Sequence, residues 1–228
     1  MTKPAIKRRA GSRQPAPSTA ATPKRGKRQR RDEQSAARRD AILAAALEEF
    51  AARGFAAARL DDVAKRAGVA KGTIYLHFRD KDALFQEIVR SLMGPFVGTI
   101  EQVLQSDIPL KLLAGQIVEL FVREVFETRR KDIIRLMMTE GPHFPKLAEF
   151  YYREVLSKIF AGARKRLQRA VDAGEIKHAS LVRFPQLIAA PGIMAIIWSG
   201  LFDRFEKLDA RELLRAQMQI LFGEVEPA

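Results

Sequence analysis

Apolar side chains return every three or four positions along most of this sequence from Ser35 onward. That spacing lines one face of an α-helix, whereas a half-buried β-strand would need strict alternation of apolar and polar residues. The first stripe ends at Gly54, a residue type that commonly terminates helices. Its members are Ile42, Leu43, Ala46, Leu47 and Phe50. No convincing alternating segment follows, so the sequence predicts an all-α protein of about nine helices.

Glycine and proline divide the later helices. A fourth helix has an apolar face from Leu84 to Leu92, and Gly94-Pro95 is expected to bend or end it because proline removes a backbone donor. This helix would link two regions of the chain. Further helices are expected at about residues 109–128, 131–139 and 146–173.

A segment of 19 residues without charge, from Phe184 to Phe202, has almost the length of a membrane span. Pro185, Gln186 and Pro191 interrupt it, and a helix that is apolar all round can equally be buried between subunits. A second apolar helix follows, with Leu213, Leu214, Met218 and Leu221 at helical spacing. We therefore expect two helices from each of two subunits to form a four-helix interface, with no membrane contact.

Positive charge is concentrated at the N-terminus. The chain has a formal net charge of +13, but its first 31 residues hold eleven Lys or Arg and no acid, so residues 32–228 are almost neutral. Residues 1–33 also contain four prolines and few apolar groups, which predicts a disordered basic arm that binds a polyanion. Pro23–Arg28 resembles the core of an AT-hook, a minor-groove binder, although nonspecific phosphate contact is the simpler interpretation.

The remaining composition is ordinary for a soluble globular protein, with 47% apolar and 29% charged residues. The absence of cysteine excludes disulfides and thiolate metal sites, and the N-terminus lacks the apolar run of a signal peptide. We expect a cytoplasmic protein without a cofactor or a metal site.

The most informative segment runs from Leu60 to Phe78, where two short helical stretches flank a turn centred on Gly68. Helices that cross at a steep angle need a small residue at the crossing, which Ala64 supplies, and a turn residue that tolerates positive φ, which Gly68 supplies. The core beneath them would consist of Val63, Val69, Ile74 and Phe78. The pattern predicts a helix-turn-helix.

The second helix of this pair would present a polar side to solvent. That side is rich in hydrogen-bond donors and poor in bulk, and it comprises Lys71, Gly72, Thr73, Tyr75 and His77. Glycine lets the backbone approach a phosphate closely, hydroxyls donate hydrogen bonds to phosphate oxygens, and lysine or histidine can reach base edges. These residues are therefore candidate DNA contacts.

A set of residues around the turn matches a known pattern: Val63-Ala64, Ala67-Gly68-Val69, Gly72-Thr73-Ile74-Tyr75, His77-Phe78 and Lys81. Together they resemble the DNA-binding domain of TetR-family transcriptional regulators, and the likeness covers residues 36–96. Residues 142–152 resemble the start of the regulatory domain in the AcrR- and AefR-like branch. The resemblance implies a helix-turn-helix domain over residues 34–96 and a helical effector-binding and dimerisation domain over residues 97–228.

The resemblance also implies a role for each exposed residue. It gives phosphate contacts to Thr73, Tyr75 and Lys81, and positions near bases to Lys71, Gly72 and His77. A homodimer would place its two recognition helices in successive major grooves, about 34 Å apart, on a near-palindromic double-stranded operator. A small effector held among the later helices would shift helix four and release the operator, which makes the protein a repressor.

Two positions depart from the family pattern. Arg59 stands where threonine commonly caps the second helix, and Ala70 stands where serine often caps the recognition helix. Loss of a cap costs about 1 kcal/mol, which packing can offset. Arg59 can instead reach a phosphate itself, and it joins the candidate DNA contacts.

Three other interpretations compete with a regulator. An unrelated helical protein could contain such a turn, and a basic-tailed helical protein could bind RNA or a membrane. An enzyme is disfavoured, because His77, His143 and His178 are far apart in the sequence and no nucleophile motif or phosphate-binding glycine loop is present.

The effector is expected to be lipophilic, and its ligand residues stay unassigned. Aromatic and sulfur side chains suited to such a ligand are Phe121, Phe126, Met137, Met138, Phe150 and Trp198. Helical spacing does not separate a cavity wall from a packed interior, so most of these residues are expected to belong to the core.

Overall fold

The computed structural model describes residues 1–2, 24–177 and 179–223. The chain divides into two units, Met1–Ala37 and Arg38–Ala228. In the first unit the described residues after Thr2 belong to the N-terminal end of helix α1 (Lys24–Ala57), where the side chains of residues 33–37 are exposed.

Helix α1 begins inside the segment 1–33 that the sequence predicts to be disordered. No proline or glycine occurs from Lys27 to Arg38, and most of the residues there, which are Arg, Lys, Gln, Glu and Ala, have high helix propensity. The helix therefore includes the last part of the predicted arm. The remaining part, residues 3–23, lies outside the described residues. Near its C-terminal end, α1 is kinked at Gly54, where φ is 75° and where the sequence predicts the first apolar stripe to end.

The second unit consists of packed helices, and the described ranges contain no strand, so the all-α prediction is confirmed. In chain order the helices are α2 (Leu60–Ala67), α3 (Lys71–His77), α4 (Lys81–Gln105), α5 (Leu110–Phe121), α6 (Arg130–Glu140), α7 (Pro145–Tyr151), α8 (Ser157–Asp172), α9 (Ser180–Arg183), α10 (Gln186–Leu201) and α11 (Ala210–Phe222). One π-helical turn, Val122–Phe126, extends α5, and a second, Tyr152–Leu156, joins α7 to α8.

Helix α4 continues through Gly94 and Pro95, so the expectation that this pair could end the helix is wrong. Proline in a helix clashes with the Cβ of the residue before it, and Gly94 has no Cβ. Met93, Phe96 and Val97 are buried around the pair, and their packing offsets the backbone hydrogen bond that proline removes. One uninterrupted helix therefore runs from the end of the helix-turn-helix segment into the rest of the fold.

The later helices pack around α4. Helix α8 lies against α4, and α11 lies against both α5 and α10. Helix α10 is 16 residues long, shorter than the uncharged segment of 19 residues from Phe184 to Phe202. Within the described ranges no helix combines the length and the apolar character that crossing a bilayer requires.

Candidate nucleic-acid interface and ligand cavity

The turn between α2 and α3 depends on Gly68. Its φ of 66° lies in the left-handed region, as the sequence predicts for this position. The Val69 N–H donates to the Ala64 carbonyl at 3.0 Å, and the Gly68 N–H donates to the Lys65 carbonyl at 3.2 Å. This pair of bonds is a Schellman motif, which ends α2 and directs the chain into α3.

The two short helices share a buried core. Val63 and Ile74 are fully buried, and Ala64 and Phe78 are almost so. Val69 is half-buried against the same cluster, so the predicted core residues all contribute. The buried side of α3 fixes the direction in which its opposite side faces solvent.

The solvent side of α3 carries the predicted contact residues. Lys71, Gly72, Tyr75 and His77 are exposed, and Thr73 is half-buried. Leu76, which sequence reasoning left out, is also exposed, at 84%. Its position next to Tyr75 and four residues after Gly72 places it on this face. The sequence signal for Leu76 is an apolar residue at a position where the helical period predicts exposure to solvent.

An ion pair connects α3 to α2. The Lys71 ammonium lies 2.8 Å from a carboxylate oxygen of Asp61, and both side chains are substantially exposed. The hydrogen bond between them holds the pKa of Asp61 below its ordinary value and raises the pKa of Lys71. The acid therefore orients Lys71 and offsets its charge at the surface where DNA contact is expected.

Lys81 has partners within the protein. Its ammonium donates to the carbonyl oxygens of Phe55 and Ala56, both at 2.7 Å, and lies 4.9 Å from the centre of the Phe55 ring. It thus stabilises the C-terminal end of α1. A phosphate contact by Lys81 stays a prediction, and the structure gives this lysine a second role.

The two departures from the family pattern leave helix ends without a side-chain cap. Arg59 and Ala70 precede α2 and α3, and neither side chain accepts a hydrogen bond there. Arg59 is exposed and free to reach outward. Helix α4 is capped in the usual way, by Asp80 accepting from the Ala83 N–H at 2.7 Å.

A cavity of about 190 Å³ lies among the later helices. Its walls come from α4, α5, α6, α7, α8, α10 and α11, so a single ligand would contact all seven helices. The walls are almost entirely aliphatic and aromatic. Of the 27 lining residues, Tyr151 and Arg166 are the ones with polar side chains.

Among the six aromatic and sulfur side chains considered from the sequence, Phe121 lines this cavity. Phe150 is buried in the core, and Met138 is exposed at 42%. Phe121 also lies against α10: a Cβ on Gly192 would come within 2.7 Å of its ring. A Cβ at this position would therefore require the Phe121 ring to move.

The end of α1 contacts α6 and the start of α7. The Phe144 ring lies 4.9 Å from the Phe55 ring, edge to face, and the Ala56 N–H donates to a Glu140 carboxylate oxygen at 3.4 Å. Further back on α1, Glu48 pairs with Arg129 at 3.1 Å. We call the contacts of Phe55, Glu140 and Phe144 the α1 junction.

Comparison with known proteins places the chain in a family. Residues 42–88 match the family described as bacterial regulatory proteins, tetR family, and residues 111–213 match the AefR-like transcriptional repressor C-terminal domain. The HTH-type transcriptional regulator AcrR of Shigella flexneri is 34% identical over 188 residues, which cover 80% of this chain and 86% of that protein. The chain belongs to the TetR family of bacterial regulators.

Other relatives agree with this assignment over different lengths. The transcriptional repressor KstR2 of Mycolicibacterium smegmatis is 31% identical over 126 residues, covering 55% of this chain and 60% of that protein. The structure of SmeT from Stenotrophomonas maltophilia with triclosan has a TM-score of 0.68 at 20% identity and covers 81% of this chain and 90% of its own. The likeness to the SmeT structure shows that the TetR-type fold extends over most of the chain.

Proposed function

We propose that this TetR-family chain is a sequence-specific DNA-binding transcriptional regulator that acts as a repressor. The observation that carries the proposal is the exposed side of α3, whose direction is set by the buried Ile74 on its opposite side. Lys71, Gly72 and His77 would lie near bases, and Thr73 and Tyr75 would contact phosphates. Leu76 adds an apolar surface suited to a thymine methyl group.

Two residues at the edges of this face complete the proposed site. Arg59 is exposed beside α2 and would contact a phosphate. Lys81 would do so from the start of α4 while it holds the end of α1. The proposed DNA-binding domain spans residues 34–96, and the effector and dimerisation domain spans residues 97–228.

The exposed apolar side of α10 supports a homodimer. Leu187, Met194 and Leu201 are spaced seven residues apart and are each about half exposed, so they form one stripe along the helix. On the neighbouring helix α11, Ile220 is 83% exposed. Pairing of these two helices with the same helices of a second copy would cover both surfaces.

The proposed effector is a small lipophilic molecule held in the cavity. Helix α4 lines the cavity from Met93 to Leu104 and begins beside the helix-turn-helix, so a ligand that moves α4 also moves α3. A neighbour of the same fold, SmeT, binds triclosan, a lipophilic molecule. The protein would act in the cytoplasm at the nucleoid, where operator DNA is found.

Selection of bound sites from random duplex DNA at about 150 mM salt tests the proposal. We expect a two-fold symmetric consensus, and random duplexes bound as tightly as any selected site would contradict it. Tyr75→Ala should abolish binding to the consensus. Tyr152→Ala is the matched control, because this exposed tyrosine follows α7 and lies outside the helix-turn-helix.

A further inference from the structure

A single cationic side chain, Arg166, lies in the wall of the apolar cavity, and it is 4% exposed. Transfer of a guanidinium into such surroundings is costly unless its N–H groups find acceptors. The neighbouring wall residues on α8 are Ala163 and Leu167, which offer none. Arg166 is therefore placed where packing alone would favour an apolar residue.

The acceptors around Arg166 satisfy its guanidinium incompletely. One Nη2–H donates to the Ile108 carbonyl at 2.8 Å, but the contacts with Glu175 are long, at 3.4 to 3.5 Å. Charge-assisted hydrogen bonds of this kind are usually about 2.7–2.9 Å. The Nε–H is buried and has no acceptor among the described residues.

Glu175 is held more closely by another group. Its Oε2 accepts from the Leu110 N–H at 2.6 Å, at the first residue of α5. The carboxylate is thus bound to a helix N-terminus and reaches the guanidinium only at long range. Arg166 retains donor capacity for one more oxygen group.

We infer that the effector of this cavity is an aliphatic carboxylate whose head group binds Arg166. The inference rests on the proposed function and names the ligand class of the same site. A carboxylate presents two coplanar oxygens, which match the Nε–H and Nη–H donors of a guanidinium. Its hydrocarbon chain would lie along side chains such as Phe96, Ile117 and Phe121.

The second polar wall residue is compatible with this ligand. Burial raises the pKa of the Tyr151 hydroxyl, so it stays protonated and can donate a hydrogen bond. Tyr151 ends α7, which begins at the α1 junction. A ligand that fills the space between Arg166 and Tyr151 would therefore push on α7 and α8, and α4 lines the same cavity.

The test compares dodecanoate with dodecanol on the full chain by isothermal titration calorimetry, at concentrations below micelle formation. We expect dodecanoate to bind at least about tenfold more tightly, because the alcohol cannot form the paired contact with Arg166. Equal affinities for acid and alcohol would overturn the inference. Octanoate and hexadecanoate then define the chain length that the cavity accepts.

Two variants assign the effect to the head-group site. Arg166→Gln should lower dodecanoate affinity about tenfold and leave dodecanol affinity unchanged, whereas Arg164→Gln, an exposed arginine on the same helix, should change neither. Should Arg166→Gln fail to fold, Glu175→Gln serves instead. Removal of that competing negative charge should strengthen dodecanoate binding severalfold, and an unchanged affinity would count against the inference.

The outcome can be separated from that of the proposed function. A symmetric consensus from site selection, together with no preference for the acid, would leave the regulator in place and remove the carboxylate effector. Binding of dodecanoate without any specific DNA site would support the carboxylate ligand and contradict the regulator. Release of the consensus duplex by dodecanoate, measured by fluorescence anisotropy, would show that ligand binding and DNA binding are coupled in this protein.

Discussion

The ring of Phe55 lies edge-on to the ring of Phe144, with 4.9 Å between their centres. Phe55 is buried at the end of α1, and Phe144 immediately precedes α7, which ends in the cavity wall at Tyr151. The pair therefore joins the helices that hold the recognition helix to the helices that surround the cavity. Helix α4 is a second such connection, since it belongs to both.

Phe144→Leu should reduce the response to effector more than it reduces operator binding. Loss of the aromatic contact should lower the free energy of unfolding by about 0.5–1.5 kcal/mol, and the effector concentration that half-releases the operator should rise severalfold. Fluorescence anisotropy with the selected duplex measures both binding and release. Phe205→Leu, at an exposed position, is the control. An unaltered release curve would show that the junction carries no coupling.

Gly68→Ala and Gly72→Ala should have opposite effects on stability. At Gly68 nothing would touch an added Cβ, so the cost comes from the positive φ and should be about 1–2 kcal/mol. Gly72 is the second residue of α3 and has no positive φ, so alanine there is favoured by up to about 1 kcal/mol. Urea denaturation monitored by circular dichroism measures both.

Operator affinity should depend on Gly72 more directly than on Gly68. A methyl group on Gly72 would lie on the proposed DNA-facing surface, so Gly72→Ala should weaken operator binding although the fold is more stable. If Gly68→Ala weakened operator binding and Gly72→Ala did not, the α3 backbone would not approach DNA at Gly72.

Asp61→Asn should strengthen DNA binding of low specificity. The carboxylate offsets the charge of Lys71, so its removal should raise affinity for random duplex and steepen the dependence of log K on log salt by up to about one unit. Affinity for the selected operator should rise less, because Lys71 loses the partner that orients it. Asp172→Asn on α8 controls for net charge. A salt slope equal to that of the control would exclude Lys71 from contact with a phosphate.

Met194→Glu should convert the proposed dimer into monomers. A charge in the middle of the apolar stripe on α10 would be buried at the interface without a partner, which is costly. Analytical ultracentrifugation should show half the mass, and operator affinity should fall because two half-sites are no longer bound together. Met138→Glu, an exposed methionine on α6, should leave the mass unchanged. A dimeric Met194→Glu protein would place the interface on another surface.

Local sequence was sufficient for the helix-turn-helix. Gly68 adopts the predicted positive φ because few residues other than glycine do so at low cost, and Val63 and Ile74 are buried because helical period determines which side faces inward. Exposure of Lys71, Tyr75 and His77 follows from the same geometry. These features involve residues within about twenty positions of one another, so short-range rules apply to them.

Tertiary packing decided the features that join distant segments. Continuation of α4 through Pro95 depends on burial of its neighbours, and the carbonyl partners of Lys81 come from a helix that ends more than twenty residues earlier. The cavity, with Arg166 in its wall, takes residues from positions 93 to 222. Hydrophobic period states which side of each helix is inward, but whether facing side chains fill the space between them depends on how the helices pack together, and that is a property of the whole fold.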